Sequence, residues 1–134
     1  MHHYYIVYKP FQVLSQFSSP EGKKTLKDHF PVAADVYPVG RLDFDSEGLL
    51  ILTNDPQLNH RLLDPAFAHE REYRVQVEGI ISPDALRQLG KGVTITVDGR
   101  PYHTRPARAA WNSTIRWPNI ANCCRNTPIA TFII

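Results

Sequence analysis

The sequence predicts an α+β domain, mostly antiparallel sheet with short helices on its outside. Two observations carry this. Runs of β-branched and aromatic residues outnumber helical patterns, and most runs are short and bounded by Pro, Gly or Asp. A chain of 134 residues with 43% hydrophobic content can also bury one sizeable core, so a single domain over residues 1–134 is expected. No apolar run approaches about 18 residues, which argues against a membrane span. Met1-His2-His3-Tyr4 lacks the charged and then apolar design of a secretory signal, so a cytoplasmic place is expected.

Tyr4-Tyr5-Ile6-Val7-Tyr8 is a β-rich run stopped by Lys9-Pro10, a first strand leading into a loop. Val13 to Phe17 reads as a weaker second strand. After the break at Pro20-Glu21-Gly22, Lys24 to Phe30 has the apolar spacing of one or two helical turns, with Lys23, Lys24 and Lys27 on its wet face. Pro31 ends it. Gly40-Arg41-Leu42-Asp43-Phe44-Asp45-Ser46-Glu47-Gly48 is a polar loop between glycines, and it feeds the continuous apolar run Leu49 to Thr53, a buried strand.

Asn54-Asp55-Pro56 offers a helix cap with proline at the first helical position, and Leu58, Leu62 and Leu63 form the apolar stripe before Asp64-Pro65 closes the helix. From Arg71 to Glu78 the chain alternates, with Tyr73, Val75 and Val77 on one face, the pattern of a half-buried strand. Ser82-Pro83 opens a helix that Gly90 is expected to close. Val93 to Val97 is a strand, and Asp98-Gly99 signals a tight hairpin into Tyr102. Signals weaken beyond Ala107. The final Ile129 to Ile134 run reads as a strand, which must be paired inside the fold to avoid an exposed apolar edge.

Net charge is only +2, with a pI of 8.6, so the total does not identify a partner. Its distribution is more telling. From Gly99 onward there is no Asp or Glu, while Arg100, Arg105, Arg108, Arg116 and Arg125 alternate with Tyr102, Trp111 and Trp117. Arginine among aromatics suits phosphate contact and base stacking, although a solvated basic face has the same composition. Cys123 and Cys124 are adjacent, a poor geometry for a bridge, and read as reduced thiols. The six histidines show no ligand spacing, so no metal site is expected.

The Gly40 to Asp55 stretch allows three readings on residues alone. Asp43, Asp45, Glu47 and Gly48 resemble the first half of a calcium loop, but the twelfth place is Asn54 where a bidentate Glu is needed. The acids could instead fix a tight turn. Or one of them could do chemistry.

Gly40-Arg41-Leu42-Asp43 joined to Ser46-Glu47-Gly48-Leu49-Leu50-Ile51-Leu52-Thr53-Asn54 resembles the signature of the RsuA-type pseudouridine synthases, which act on ribosomal RNA. Lys9-Pro10 is similar to the family's Lys-Pro motif, and Glu72 to Gly79 resembles its basic-x-Tyr-x-Val strand. With no S4-like RNA-binding module ahead of the match, the chain looks closest to the RluE branch, which modifies large-subunit ribosomal RNA. The family's strand similar to Thr131 to Ile134 continues into a Glu-Gly-x-Asn-Arg-Gln-Val-Arg-like segment that the sequence lacks, so a shortened catalytic domain is expected.

The resemblance implies a pseudouridine synthase-like fold with a central RNA-binding cleft, a ribosomal RNA partner, a monomer, and no cofactor or metal. Uridine is cut from its ribose at N1, turned, and rejoined through C5, with Asp43 as nucleophile or proton acceptor at the sugar. The base must first leave its stack. Arg41 is suited to hold phosphate or fill the vacated space, its rival role being an ion pair with Asp45 or Glu47. Tyr73 would stack on the flipped base, and Lys9 would touch RNA. Two other readings stand beside this one: an RNA-binding fragment without turnover, and a small interaction or calcium-binding module.

Overall fold

The computed structural model describes residues 1–19, 21–77, 79–112 and 129–133. The readings on Cys123, Cys124, Arg116, Trp117 and Arg125 lie outside them. The chain divides into two compact units, Met1–His69 and Glu70–Ile134.

The first unit is built on a three-stranded antiparallel sheet. Its strands are β1 (Tyr4–Lys9), β2 (Tyr37–Pro38) and β3 (Gly48–Thr53), in the order β1-β3-β2. The β1–β3 register pairs Tyr5 with Leu52, Val7 with Leu50 and Lys9 with Gly48. Because side chains alternate across a strand, these residues share one face of the sheet. That face packs on a core of Val13, Leu26, Val36, Leu50 and Leu52, flanked by Tyr5, Val7, Phe17, Phe30 and Val32. The opposite face carries Tyr4, Ile6, Tyr8 and Leu49, with Ile6 75% and Leu49 74% exposed.

Loops seal this core. The strand expected over Val13 to Phe17 does not form: Leu14 makes one isolated parallel bridge to Thr25, and the segment is otherwise loop. Backbone bonds from Leu14 N to Lys24 O (2.9 Å) and from Leu26 N to Gln16 O (2.9 Å) tie the two segments together. The helical turn expected before Pro31 contracts to a 3-10 turn over Leu26–Asp28, with Thr25 and Asp28 forming a capping box. Lys23, Lys24 and Lys27 are all exposed, as read. Helix α1 (Pro56–Leu63) starts where expected, with the Asp55 side chain accepting from Gln57 N and Leu58 N.

The second unit has its own three-stranded sheet of β4 (Glu72–Gln76), β7 (Arg108–Asn112) and β8 (Ile129–Ile133), in the order β4-β8-β7. The terminal strand is thus paired on both sides, as its apolar character requires. A two-stranded hairpin of β5 (Thr94–Val97) and β6 (Arg100–His103) turns at Asp98 and Gly99, both at positive φ. Helix α2 (Pro83–Lys91) is capped by Ser82, whose hydroxyl accepts from Ala85 N at 3.1 Å.

Two expectations are corrected here. Gly90 lies within α2, where its carbonyl accepts from Ala107 N, and the terminating residue is Gly92 at φ +96°. A Cβ at Gly92 would stand 2.4 Å from Thr104 O, so glycine is required there by both conformation and space. The strand read as half-buried is also more open than its alternation implied. Tyr73 is 42% and Val75 40% exposed, and among the described residues of this unit no side chain is fully buried.

Candidate active site

The polar loop between β2 and β3 is held by short contacts on both sides of Asp43. Ser15, itself buried, donates its hydroxyl to Leu42 O at 2.7 Å and accepts from Leu42 N at 3.0 Å. Gln12 N donates to Phe44 O at 2.8 Å. Gln12 sits at φ 58°, a left-handed conformation uncommon for a residue with a side chain and maintained by its surroundings. Ser46 N then closes a turn onto Asp43 O at 3.1 Å. The backbone before and after Asp43 is therefore fixed by the 12–15 segment, while its carboxylate stays exposed.

Gly40 supports the loop entrance. Its φ is +79°, and a Cβ there would meet Leu63 Cδ2 at 3.3 Å, so the last turn of α1 packs directly on the loop backbone. Gly48, opposite Lys9 in the ladder, opens β3. The loop thus runs from one glycine against a helix to another at a strand start.

Lys9, expected to touch RNA, is 0% exposed. Its ammonium donates to Pro10 O at 3.0 Å and Val13 O at 2.7 Å, and holding an RNA phosphate would mean leaving both carbonyls. Burial pushes its pKa down, opposed by attraction from Asp43, Asp45 and Glu47. Lys9 is the buried countercharge beneath the acidic loop. The bonds from its ammonium also brace the 10–13 turn, which carries Gln12.

Arg41 is exposed, with Nη2 3.5 Å from Gln16 Oε1; among the described residues it forms no ion pair with Asp45 or Glu47. Glu47 instead interacts with Tyr8, whose phenol pKa is raised by desolvation and then by its hydrogen bond to that carboxylate. Lys23 Nζ lies 5.7 Å from the centroid of the Phe44 ring. The structure thus brings Asp43, Arg41 and Lys9 together within the first unit. Tyr73 stands on β4 of the second, exposed.

Sequence reasoning missed Ser15 and Gln12, since one hydroxyl and one main-chain N–H in a loop give no motif. For Lys9 a signal was present: the alternation Tyr5, Val7, Lys9 places it on the inward row. The helix–loop–helix that a calcium hand needs is absent around Asp43, since β3 follows directly. Among the described residues, no group of three or more His, Cys, Asp and Glu side chains is placed to hold a metal ion.

This architecture is that of a known class of RNA-modifying enzymes. A solved structure described as a pseudouridylate synthase superposes with a TM-score of 0.72 at 24% identity, covering 99% of this chain and 51% of that one. The expected fold is the fold found. The family described as RNA pseudouridylate synthase matches residues 3–125, and the chain belongs to it.

Among its relatives, the ribosomal large subunit pseudouridine synthase E of Xanthomonas axonopodis pv. citri is 49% identical over 110 residues, 77% of this chain and 57% of that protein. The synonymous protein of Vibrio parahaemolyticus is 48% identical over 87 residues, 65% of this chain and 36% of its own. The ribosomal large subunit pseudouridine synthase B of Bacillus subtilis is 36% identical over 107 residues, 79% of this chain and 42% of that one. The chain spans between 36% and 57% of the length of these relatives.

Proposed function

We propose that this chain isomerises a specific uridine of large-subunit ribosomal RNA to pseudouridine, with Asp43 as the nucleophile. The observation that carries the proposal is the exposed Asp43 carboxylate on a backbone tied at both neighbours, Leu42 and Phe44. A nucleophile gains from such fixing because the reacting atoms are aligned before the reaction begins. Large-subunit RNA follows from the names that the Xanthomonas, Vibrio and Bacillus relatives share.

In this reading the flipped uridine presents its sugar to Asp43. The carboxylate forms a bond to C1′ as the C1′–N1 bond breaks, and the electron pair leaves with the base. The base turns, C5 attacks C1′ and displaces the carboxylate, and the C5 proton is lost to solvent while N1 takes one up. Arg41, with a free guanidinium face, holds phosphate or fills the vacated stack. Lys9 acts from below, offsetting the repulsion among Asp43, Asp45 and Glu47. The chain works as a cytoplasmic monomer and uses no cofactor.

Tritium release tests this. Large-subunit RNA labelled at C5 of uridine should lose label to solvent in proportion to pseudouridine formed, whereas small-subunit RNA should not. Tight RNA binding without any release would favour the fragment reading and sink the enzymatic one.

A further inference from the structure

We infer that Lys23 and Lys24 join Arg41 in a ridge that holds the RNA sugar–phosphate backbone beside Asp43; this rests on the reading that the Asp43 site takes RNA. Lys23 and Lys24 are adjacent and Arg41 lies 17 residues further on, but all three stand on one scaffold. Lys24 is tied by its carbonyl to Leu14 N, and the next residue, Thr25, bridges Leu14. The same short segment carries Ser15, which grips Leu42, and Gln16, which Arg41 meets. Lys23 closes the arrangement by placing its ammonium over Phe44, the residue after Asp43.

A merely solvated basic face would not need this fixing. Thr25 is buried, and Asp28 spends its carboxylate on Thr25 N and Oγ1, which anchors the lysine-bearing turn. Among the described residues neither Lys24 nor Arg41 has a carboxylate partner. Lys23 has one, Glu21 at 2.5 Å, but an ammonium carries three donors and the others remain for a phosphate oxygen. Phosphate contacts of this kind set register without reading sequence, which suits a ridge flanking a reactive carboxylate. Glu21 then acts as a brake on binding, since it competes with phosphate for Lys23.

The test is the salt dependence of binding of a fluorescent RNA hairpin with a uridine loop, read by anisotropy with the whole chain. Each phosphate contact to a single strand contributes roughly 0.7 to the slope of log K against log salt, so K23Q/K24Q should flatten it by about 1.4. E21Q should tighten binding, and as a variant of one exposed residue it keeps the test open if the double variant misfolds. An unchanged slope in K23Q/K24Q, or an equal loss per charge from K91Q in the second unit, would overturn the ridge while leaving the Asp43 reading standing. Failure of the wild-type chain to bind the hairpin at any salt would instead overturn the reading itself.

Discussion

In the first unit β3 is the central strand, and its inner residues Leu50 and Leu52 are sealed by Val13, Leu26 and Val36. In the second unit β8 is equally central, yet Tyr73 and Val75 on the neighbouring β4 stay exposed. Both sheets have three strands, so strand number does not make the difference. Loop coverage does. The 12–36 segment folds over the first sheet and brings with it the capping box, the Ser15 contact and the Lys9 anchor. A three-stranded sheet needs such a cover to gain a core. The unit with the buried core is the one that carries the candidate nucleophile.

The contrast can be broken most sharply in the core. Leu52→Ala should destabilise the first unit by about 2–5 kcal/mol, because a fully buried leucine leaves a cavity that the sheet cannot close. Thermal or denaturant unfolding of the variant reads this directly. Ser15→Ala should cost less, about 1–3 kcal/mol, since the Leu42 amide loses its partner in a part-buried place. Its diagnostic sign is faster amide exchange at Leu42 with no change at Leu52. In the second unit Ser82→Ala should cost about 1 kcal/mol through loss of the α2 cap, and exchange should rise only at the helix start.

Acid should weaken the first unit in a defined direction. The pKa of Asp28 is lowered by the Thr25 amide first, that of Asp35 by Asn54 and that of Asp55 by the Tyr4 hydroxyl. Folding favours the ionised form of each. Their contribution is whole above the ordinary aspartate pKa of about 4 and fades as pH falls through the lowered folded values. The melting temperature should therefore fall from about pH 5 downward. Asp28→Asn should shallow that fall; an equally steep fall would show that these carboxylates are not its source. Smallest of all, Val75→Ala should stay within about 0.5 kcal/mol, as fits an exposed position in the less covered sheet.

Local chemistry was legible wherever one short stretch decides the outcome. The Asp55 and Ser82 caps, the Asp98-Gly99 hairpin and β3 all follow from residues within a few places of one another. What failed depends on distant partners. Val13 to Phe17 has strand composition, but its neighbour offers only one bridge at Thr25, so the ladder does not propagate. β2 is two residues long and includes Pro38, and β7 reads Arg-Ala-Ala-Trp-Asn, so neither announces itself. Gly90 looked like a helix end because the close approach of Thr104, which selects Gly92, is invisible in the chain order.

The candidate site divides in the same way. The Asp43 motif and the exposed Arg41 could be read directly. Ser15 and Gln12 could not, since their value lies in main-chain contacts some thirty residues away. The burial of Lys9 could have been read from its inward register with Tyr5 and Val7.

The most direct test of the central claim is single-turnover tritium release by Asp43→Asn beside the wild-type chain, on the same C5-labelled large-subunit RNA. The substitution removes the nucleophilic charge and keeps the size of an exposed side chain, so folding and RNA binding should persist. Release should be abolished in the variant and present in the wild type. Unimpaired release from Asp43→Asn would contradict the account.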